Sequence, residues 1–214
     1  MLVKARMSKP VITVEPDLPI MEALNLMKTE NIRRVPVVDG DGRLIGIVSD
    51  KDLLNASPSD ATSLSVWEIS YLVGKITVKK VMTKNVFAVN ENTPIEEAAR
   101  IMVDNKVGGL PVMRGDRIVG IITESDLFKV LLELMGAREG GIRVTATIPE
   151  ILGELDQLTH AIAKAGGSFI SFGQFNGDDD DNRIVTFKVS GVDEDTIKTA
   201  VSPVVNDIVD MRKA

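Results

Sequence analysis

Residues 7 to 136 of this 214-residue chain hold one unit written twice. Gly46-Ile47-Val48-Ser49-Asp50-Lys51-Asp52-Leu53 returns as Gly120-Ile121-Ile122-Thr123-Glu124-Ser125-Asp126-Leu127. Upstream, Ile20, Ala23, Leu24 and Met27 become Ile95, Ala98, Ala99 and Met102, and Val35-Pro36-Val37 becomes Leu110-Pro111-Val112, at a shift of 75. The turn Arg114-Gly115-Asp116-Arg117 is one residue shorter than its counterpart after Val38, so later matches shift by 74. Self-similarity over about fifty residues means two copies of one supersecondary unit that bury their apolar faces together.

The pattern within a copy reads β-α-β-β-α. In the first, residues 11–14 predict a short strand, and Pro19 suits the start of a helix with Ile20, Ala23, Leu24 and Met27 on one face. Val35-Pro36-Val37-Val38 is a second strand, Asp39-Gly40-Asp41-Gly42 a turn, and Leu44-Ile45-Gly46-Ile47-Val48 a third strand. That third strand is apolar throughout, which predicts burial on both faces. Ser49 opens a helix that fades by Ser57-Pro58. In the second copy residues 86–89 match the first strand, and Thr93-Pro94-Ile95-Glu96 predicts a helix cap. The last helix carries Leu127, Val130, Leu131 and Leu134 and ends near Gly136.

Each strand-to-helix junction spells a capping box. The hydroxyl of Ser49 or Thr123 accepts an orphan helix N–H, and the carboxylate of Asp52 or Asp126 reaches back. The same geometry fits a ligand, because a helix N-terminus with a hydroxyl suits a phosphate and a carboxylate one turn in accepts both hydroxyls of a ribose. The spacing leaves both readings open.

Composition narrows the function. Formal net charge is -6, and aromatic residues are 4%, so neither a basic footprint nor a stacking platform for nucleic acid is expected. There is no cysteine, and a single histidine, His160, which removes thiol chemistry and a histidine metal site. No apolar run approaches membrane-spanning length, and residues 1–10 hold Lys4, Arg6 and Lys9 without an apolar stretch. A cytoplasmic location and no membrane partner are the expectation. No nucleophile stands with a base, so the chain reads as non-catalytic.

The segment 58–81 predicts a helical connector, with a capping box Ser65-Val66-Trp67-Glu68 and the only tryptophan and tyrosine, Trp67 and Tyr71. It is apolar on two sides, covered either by its own domain or by a partner. Residues 137–141 read as a linker. Beyond it, Ile142-Arg143-Val144-Thr145-Ala146-Thr147-Ile148 alternates as a half-buried strand. Leu152, Leu155, Leu158 and Ile162 form a helix face, and residues 168–175 and 183–189 are paired strands. Residues 193–201 are a helix and 207–211 a last strand, giving β-α-β-β-α-β, the ferredoxin-like pattern. Asp178-Asp179-Asp180-Asp181 lacks the alternation of a calcium loop and reads as a solvated hairpin turn.

Two copies with an x-Pro-Val strand and a Gly-h-h-[Ser/Thr]-x-x-Asp-h junction resemble a tandem CBS-domain pair, or Bateman module. The resemblance implies an α+β fold with two β-α-β-β-α units in a pseudo-twofold disc and two clefts for adenine nucleosides or nucleotides. It places ribose on Asp52 and Asp126 and phosphate near Ser49 and Thr123. Adenine contacts would come from Ile12 and Ile32 in one copy, and from Phe87, Val107, Gly108 and Gly109 in the other. The resemblance leaves open which set faces which aspartate, since family clefts are often composite. Arg33-Arg34 and Lys51 in the first copy answer to Gly108-Gly109 and Ser125 in the second, so the clefts should be unequal. The arginines and Lys51 are either phosphate partners or solvated. Few cations are at hand, which favours AMP or ADP over ATP.

The tail resembles an ACT domain. Glu150-Ile151-Leu152-Gly153-Glu154-Leu155 fits the family's D-x-P-G-x-L turn, with Glu for Asp and Leu152 for proline. That resemblance implies a ligand turn at Glu150 and Gly153, an amino acid as its occupant, and subunit pairing. The order of a pair and this tail resembles the acetoin utilization protein B family. The expected domains are a CBS pair over 1–136 (repeats 7–57 and 82–136), linker 137–141 and an ACT-like domain over 142–214. The expected function is regulatory: adenine nucleotide, with no required cofactor, signals through the tail of a homodimer to a protein target, in acetoin or central carbon metabolism. The alternative is a constitutive dimerisation module with empty clefts.

Overall fold

Each copy of the repeat builds a helix, a short sheet and a second helix, in that order. The computed structural model describes residues 1–56, 74–177 and 181–214. The connector helix with Trp67 and Tyr71 and the aspartates 178–180 lie outside the described residues. The chain divides into two units, Met1–Leu127 and Phe128–Ala214.

In the first unit, α1 (Ile20–Thr29) precedes β1 (Arg34–Val38), β2 (Leu44–Ser49) and α2 (Asp50–Asn55). After α3 (Val78–Val81), the second copy supplies β3 (Val89–Asn90), α4 (Ile95–Asn105), β4 (Gly109–Arg114), β5 (Arg117–Thr123) and α5 (Glu124–Leu134). β1 pairs antiparallel with β2, and β4 with β5. β3 runs parallel to β4, while its counterpart in the first copy shrinks to one bridge, Val14 to Val37. The strand expected over 11–14 is therefore a single contact. The core of the first copy gathers Ile20, Ala23, Val35, Val37, Val48 and Leu53, all with no exposed surface. Each large aliphatic so buried contributes about 1.5–3 kcal/mol.

Three local expectations need correction. Pro94, not Thr93, is the N-cap of α4, and no side chain bonds the helix start. β2 is not buried on both faces, because Gly46 and Val48 are buried while Ile47 is half-exposed and lines a cavity. Leu152 is 102% exposed and precedes α6 (Glu154–Lys164), so only Leu155, Leu158 and Ile162 of that stripe face the core.

The two copies exchange their leading segments. Ser8 bonds Ile121 of the second copy in both directions, at 2.8 and 3.2 Å; Thr83 bonds Ile47 of the first, both at 2.9 Å. The pairs Val3 N–H to Thr93 and Val78 N–H to Leu18, and Ile95 N–H to Met1 and Ile20 N–H to Ile76, repeat the exchange. This exchange explains the motif glycines. A Cβ on Gly46 would stand 2.5 Å from the Met82 sulfur, and one on Gly120 2.5 Å from that of Met7.

The second unit carries β6 (Ile142–Pro149), α6, β7 (Ser168–Asn176), β8 (Asn182–Ser190), α7 (Glu194–Val201) and β9 (Asp207–Lys213). Its antiparallel sheet has the order β7-β8-β6-β9. Alternation in β6 puts Val144, Ala146 and Ile148 with Val185, Phe187, Leu158, Ile162, Ile197 and Val201 in one core. On the opposite sheet face Thr145 and Thr186 share a hydroxyl bond of 3.0 Å. On that face too, Lys188, 4% exposed, donates to the carbonyls of Gly136 and Glu139, each at 2.9 Å. The segment read as a linker is thus held on the sheet by a buried ammonium.

Candidate functional site

β2 ends at Ser49, which is extended (φ -108°, ψ 161°) and caps α2. The Ser49 amide donates to Asp52 Oδ2 at 2.9 Å and the Ser49 hydroxyl to the same oxygen at 2.6 Å. The Asp52 amide donates back to Ser49 Oγ at 3.3 Å. The capping box is complete, and it occupies only one carboxylate oxygen. Oδ1 of Asp52 takes no hydrogen bond from a described residue.

Asp52 and Ser49 stand in the wall of a cavity of about 250 Å³. The cavity is composite. Arg34, Ile47 and Val48 come from the first copy; Val86, Phe87, Lys106, Val107, Gly108 and Gly109 come from the second. Of the residues expected from the sequence, it brings together Asp52, Ser49, Arg34, Phe87, Val107, Gly108 and Gly109. Ile12, Ile32, Arg33 and Lys51 do not line it. Arg33 points its carbonyl at the Asp50 amide, 3.0 Å away, and Lys51 is exposed on α2. Phe87 is 47% exposed beside the opening and does not fill it.

The two glycines opposite Asp52 make room for a side chain of the other copy. A Cβ on Gly108 would collide with the Arg34 guanidinium and lie 2.6 Å from the Glu124 carboxylate. One on Gly109 would meet Arg34 Cδ at 3.4 Å and the Ile122 carbonyl at 3.3 Å. Arg34 therefore occupies the space that side chains at 108 and 109 would claim.

Ile47, Val48, Thr83, Asn85, Val86 and Lys106 also line the cavity and escape the sequence reading. Ile47 reads as core there, and Lys106 ends α4 in a left-handed conformation (φ 53°, ψ 40°). The visible signal for Lys106 is its place at a helix C-terminus where glycine or asparagine is usual.

The second junction repeats the carboxylate half of the cap. Thr123 donates to Asp126 Oδ2 through its amide at 3.0 Å and its hydroxyl at 2.8 Å. Asp126 is only 6% exposed, whereas Asp52 is half-buried. In the tail, Glu150 is ion-paired with Arg183 at 2.5 Å, and Gly153 starts α6 at φ 91° with open space where a Cβ would stand. The backbone conformation, rather than a close neighbour, requires that glycine. His160 is exposed on α6. Among the described residues no cluster of His, Asp and Glu is placed to hold a metal, and no helix is long and apolar enough to cross a membrane.

A family model described as CBS domain matches residues 3–59 and 78–133, more than half of the chain. The chain belongs to the CBS-domain family. It is similar to a CBS domain-containing protein of Dictyostelium discoideum, 35% identical over 135 residues, 63% of this chain and 93% of that one. Two longer relatives from Methanocaldococcus jannaschii are spanned for only 23% and 22% of their length. Among solved structures it resembles an acetoin utilization protein (AcuB) of Vibrio cholerae, 33% identical, TM-score 0.53, covering 65% of this chain and 96% of that one. It also resembles a CBS domain pair in complex with 5'-methylthioadenosine and S-adenosyl-L-methionine, 31% identical, TM-score 0.52, covering 65% of this chain and 98% of that one. The tandem CBS pair is thus established, and a CBS-pair homologue binds adenosine ligands.

Proposed function

We propose that this protein is a non-catalytic regulatory sensor whose Asp52 cleft holds an adenosine ligand, AMP or ADP before ATP. One observation carries the reading. Asp52 caps its helix with one oxygen and keeps the other for a ligand's hydroxyls, in a cavity walled by both copies. The ribose lies on Asp52, the base against Val107, Gly108, Gly109 and Phe87, and a phosphate toward Ser49 and Arg34. The adenosine ligands of the similar CBS pair support the same class. A response requires that ligand bind two geometries of the pair unequally.

The tail is read as a ferredoxin-like, ACT-like domain over 142–214, supported by its β-α-β-β-α-β order and the sheet order β7-β8-β6-β9. It pairs subunits of a cytoplasmic homodimer and reports to a protein target, with Glu150 and Gly153 as the turn for an amino acid. The likeness to the Vibrio cholerae protein supports a role near acetoin metabolism.

Calorimetry with AMP, ADP, ATP, adenosine and S-adenosylmethionine tests the cleft. Saturable binding of one of them, lost in Asp52→Ala, is the expected result; no heat from any of them refutes it. The burial of Asp126 favours a second reading for that junction, a structural cap in a module that dimerises without ligand there.

A further inference from the structure

Lys106 and Asn31 occupy equivalent positions, just past the same helix in each copy. Both are left-handed at φ 53°. The hydrogen bonds agree as well: Asn31 N–H to Lys28 and Ile32 N–H to Met27 in the first copy, Lys106 N–H to Val103 and Val107 N–H to Met102 in the second. The fold therefore demands a left-handed residue at both places. Asparagine meets that demand at little cost, since its short amide tolerates the conformation. Lysine has no such allowance, and a strained backbone kept at a cavity wall points to a role for the side chain. Lys106 lines the Asp52 cleft beside Val107 and makes no ion pair with a described residue. The other charges at that cleft are Arg34, Asp52 and, at its edge, Glu124. Without Lys106 the carboxylates outnumber the cations there; with it the signs balance before any phosphate enters.

We propose that Lys106 is the residue that makes the Asp52 cleft select a phosphorylated adenosine ligand over the bare nucleoside. The assignment rests on the adenosine reading of that cleft. Its ammonium is a mobile point charge with three donors, suited to a phosphate monoester that Arg34 meets from the other copy. The matching position of the first copy holds Asn31, which carries no charge. The backbone strain is the cost of the selectivity.

The experiment compares AMP with adenosine, which differ only in the phosphate, by calorimetry on the full chain and its Lys106→Asn and Lys106→Arg variants. The wild type is expected to bind AMP at least about tenfold more tightly than adenosine. Lys106→Asn is expected to lower AMP affinity about tenfold, leave adenosine within about twofold, and raise the melting temperature by a few degrees as strain is released. Lys106→Arg is expected to keep most of the preference. Unchanged AMP affinity in Lys106→Asn overturns the assignment while leaving the cleft reading intact. Equal loss of AMP and adenosine overturns it too, since the side chain would then serve the cavity's shape. A wild type that binds neither overturns the cleft reading and this assignment with it.

Discussion

The Asp52 and Asp126 junctions share sequence pattern and cap geometry, and differ in burial and in the helix each one opens. Asp52 opens a six-residue helix, stands half-buried in a cavity wall, and has one carboxylate oxygen that takes no hydrogen bond from a described residue. Asp126 is nearly sealed and opens an eleven-residue helix that runs to Leu134. Beyond its end, the Gly136 carbonyl is gripped by the buried ammonium of Lys188. One motif thus stands in a cavity wall, and the other is nearly closed off from solvent. Both junctions direct an amide and a hydroxyl to one oxygen of the aspartate, while the packing around them differs.

The largest test of the underlying equivalence lies in the exchanged segments. Gly46→Val and Gly120→Val each drive a branched side chain into Met82 or Met7 and the adjoining backbone carbonyl. Each should cost about 3 kcal/mol in urea unfolding, the upper range for overpacking. Costs that differ severalfold would break the symmetry of the two cores. Next come the aspartates. Asp126→Ala loses a cap in a buried setting and should cost about 2 kcal/mol; Asp52→Ala should cost about 1 kcal/mol and abolish ligand heat. The reverse ranking would exchange the two roles.

Lys188→Met probes the second unit alone. It removes the ammonium donor from the Glu139 carbonyl and leaves the Gly136 carbonyl only the Glu139 amide, and should cost about 2 kcal/mol, with faster amide exchange over residues 135–141 and no change at Asp52. Protection that is unchanged in that segment would show that the ammonium does not hold it. The smallest expected effect concerns acid. Hydrogen bonding to Arg114 holds Glu91 below the usual carboxylate range in the first unit. Hydrogen bonding to Arg212, aided by Arg143, does the same for Asp210 in the second. A depressed folded-state value means the contribution is present above the unfolded value and is lost as pH falls through the folded one. Melting temperatures should therefore decline as pH falls from the ordinary carboxylate range through the depressed folded-state values, slightly less steeply in Asp210→Asn. Their partners Arg114 and Arg212 are largely exposed, so an equal slope in wild type and variant would assign Asp210 no measurable part.

Much of this protein was legible in residue order because its signals are local. A 75-residue echo, a hydroxyl three places before an aspartate, and alternation in Ile142 to Ile148 each depend on neighbours along the chain. They sufficed for two repeat units, the Ser49–Asp52 capping box and the strand-helix order of the tail. What the order of residues could not supply was the partner of each group across space. Ile12, Ile32 and Lys51 matched the motif yet stand away from the cavity, whereas Lys106 and Ile47 belong to it. Gly108-Gly109 reads as empty space until Arg34 of the other copy is seen filling it. Asp52 and Asp126 are indistinguishable as letters, because whether a carboxylate is sealed or open is set by packing from distant segments. Covalent sequence encodes periodicity and caps through short-range sterics and hydrogen bonds; access to a site is a property of the whole folded surface.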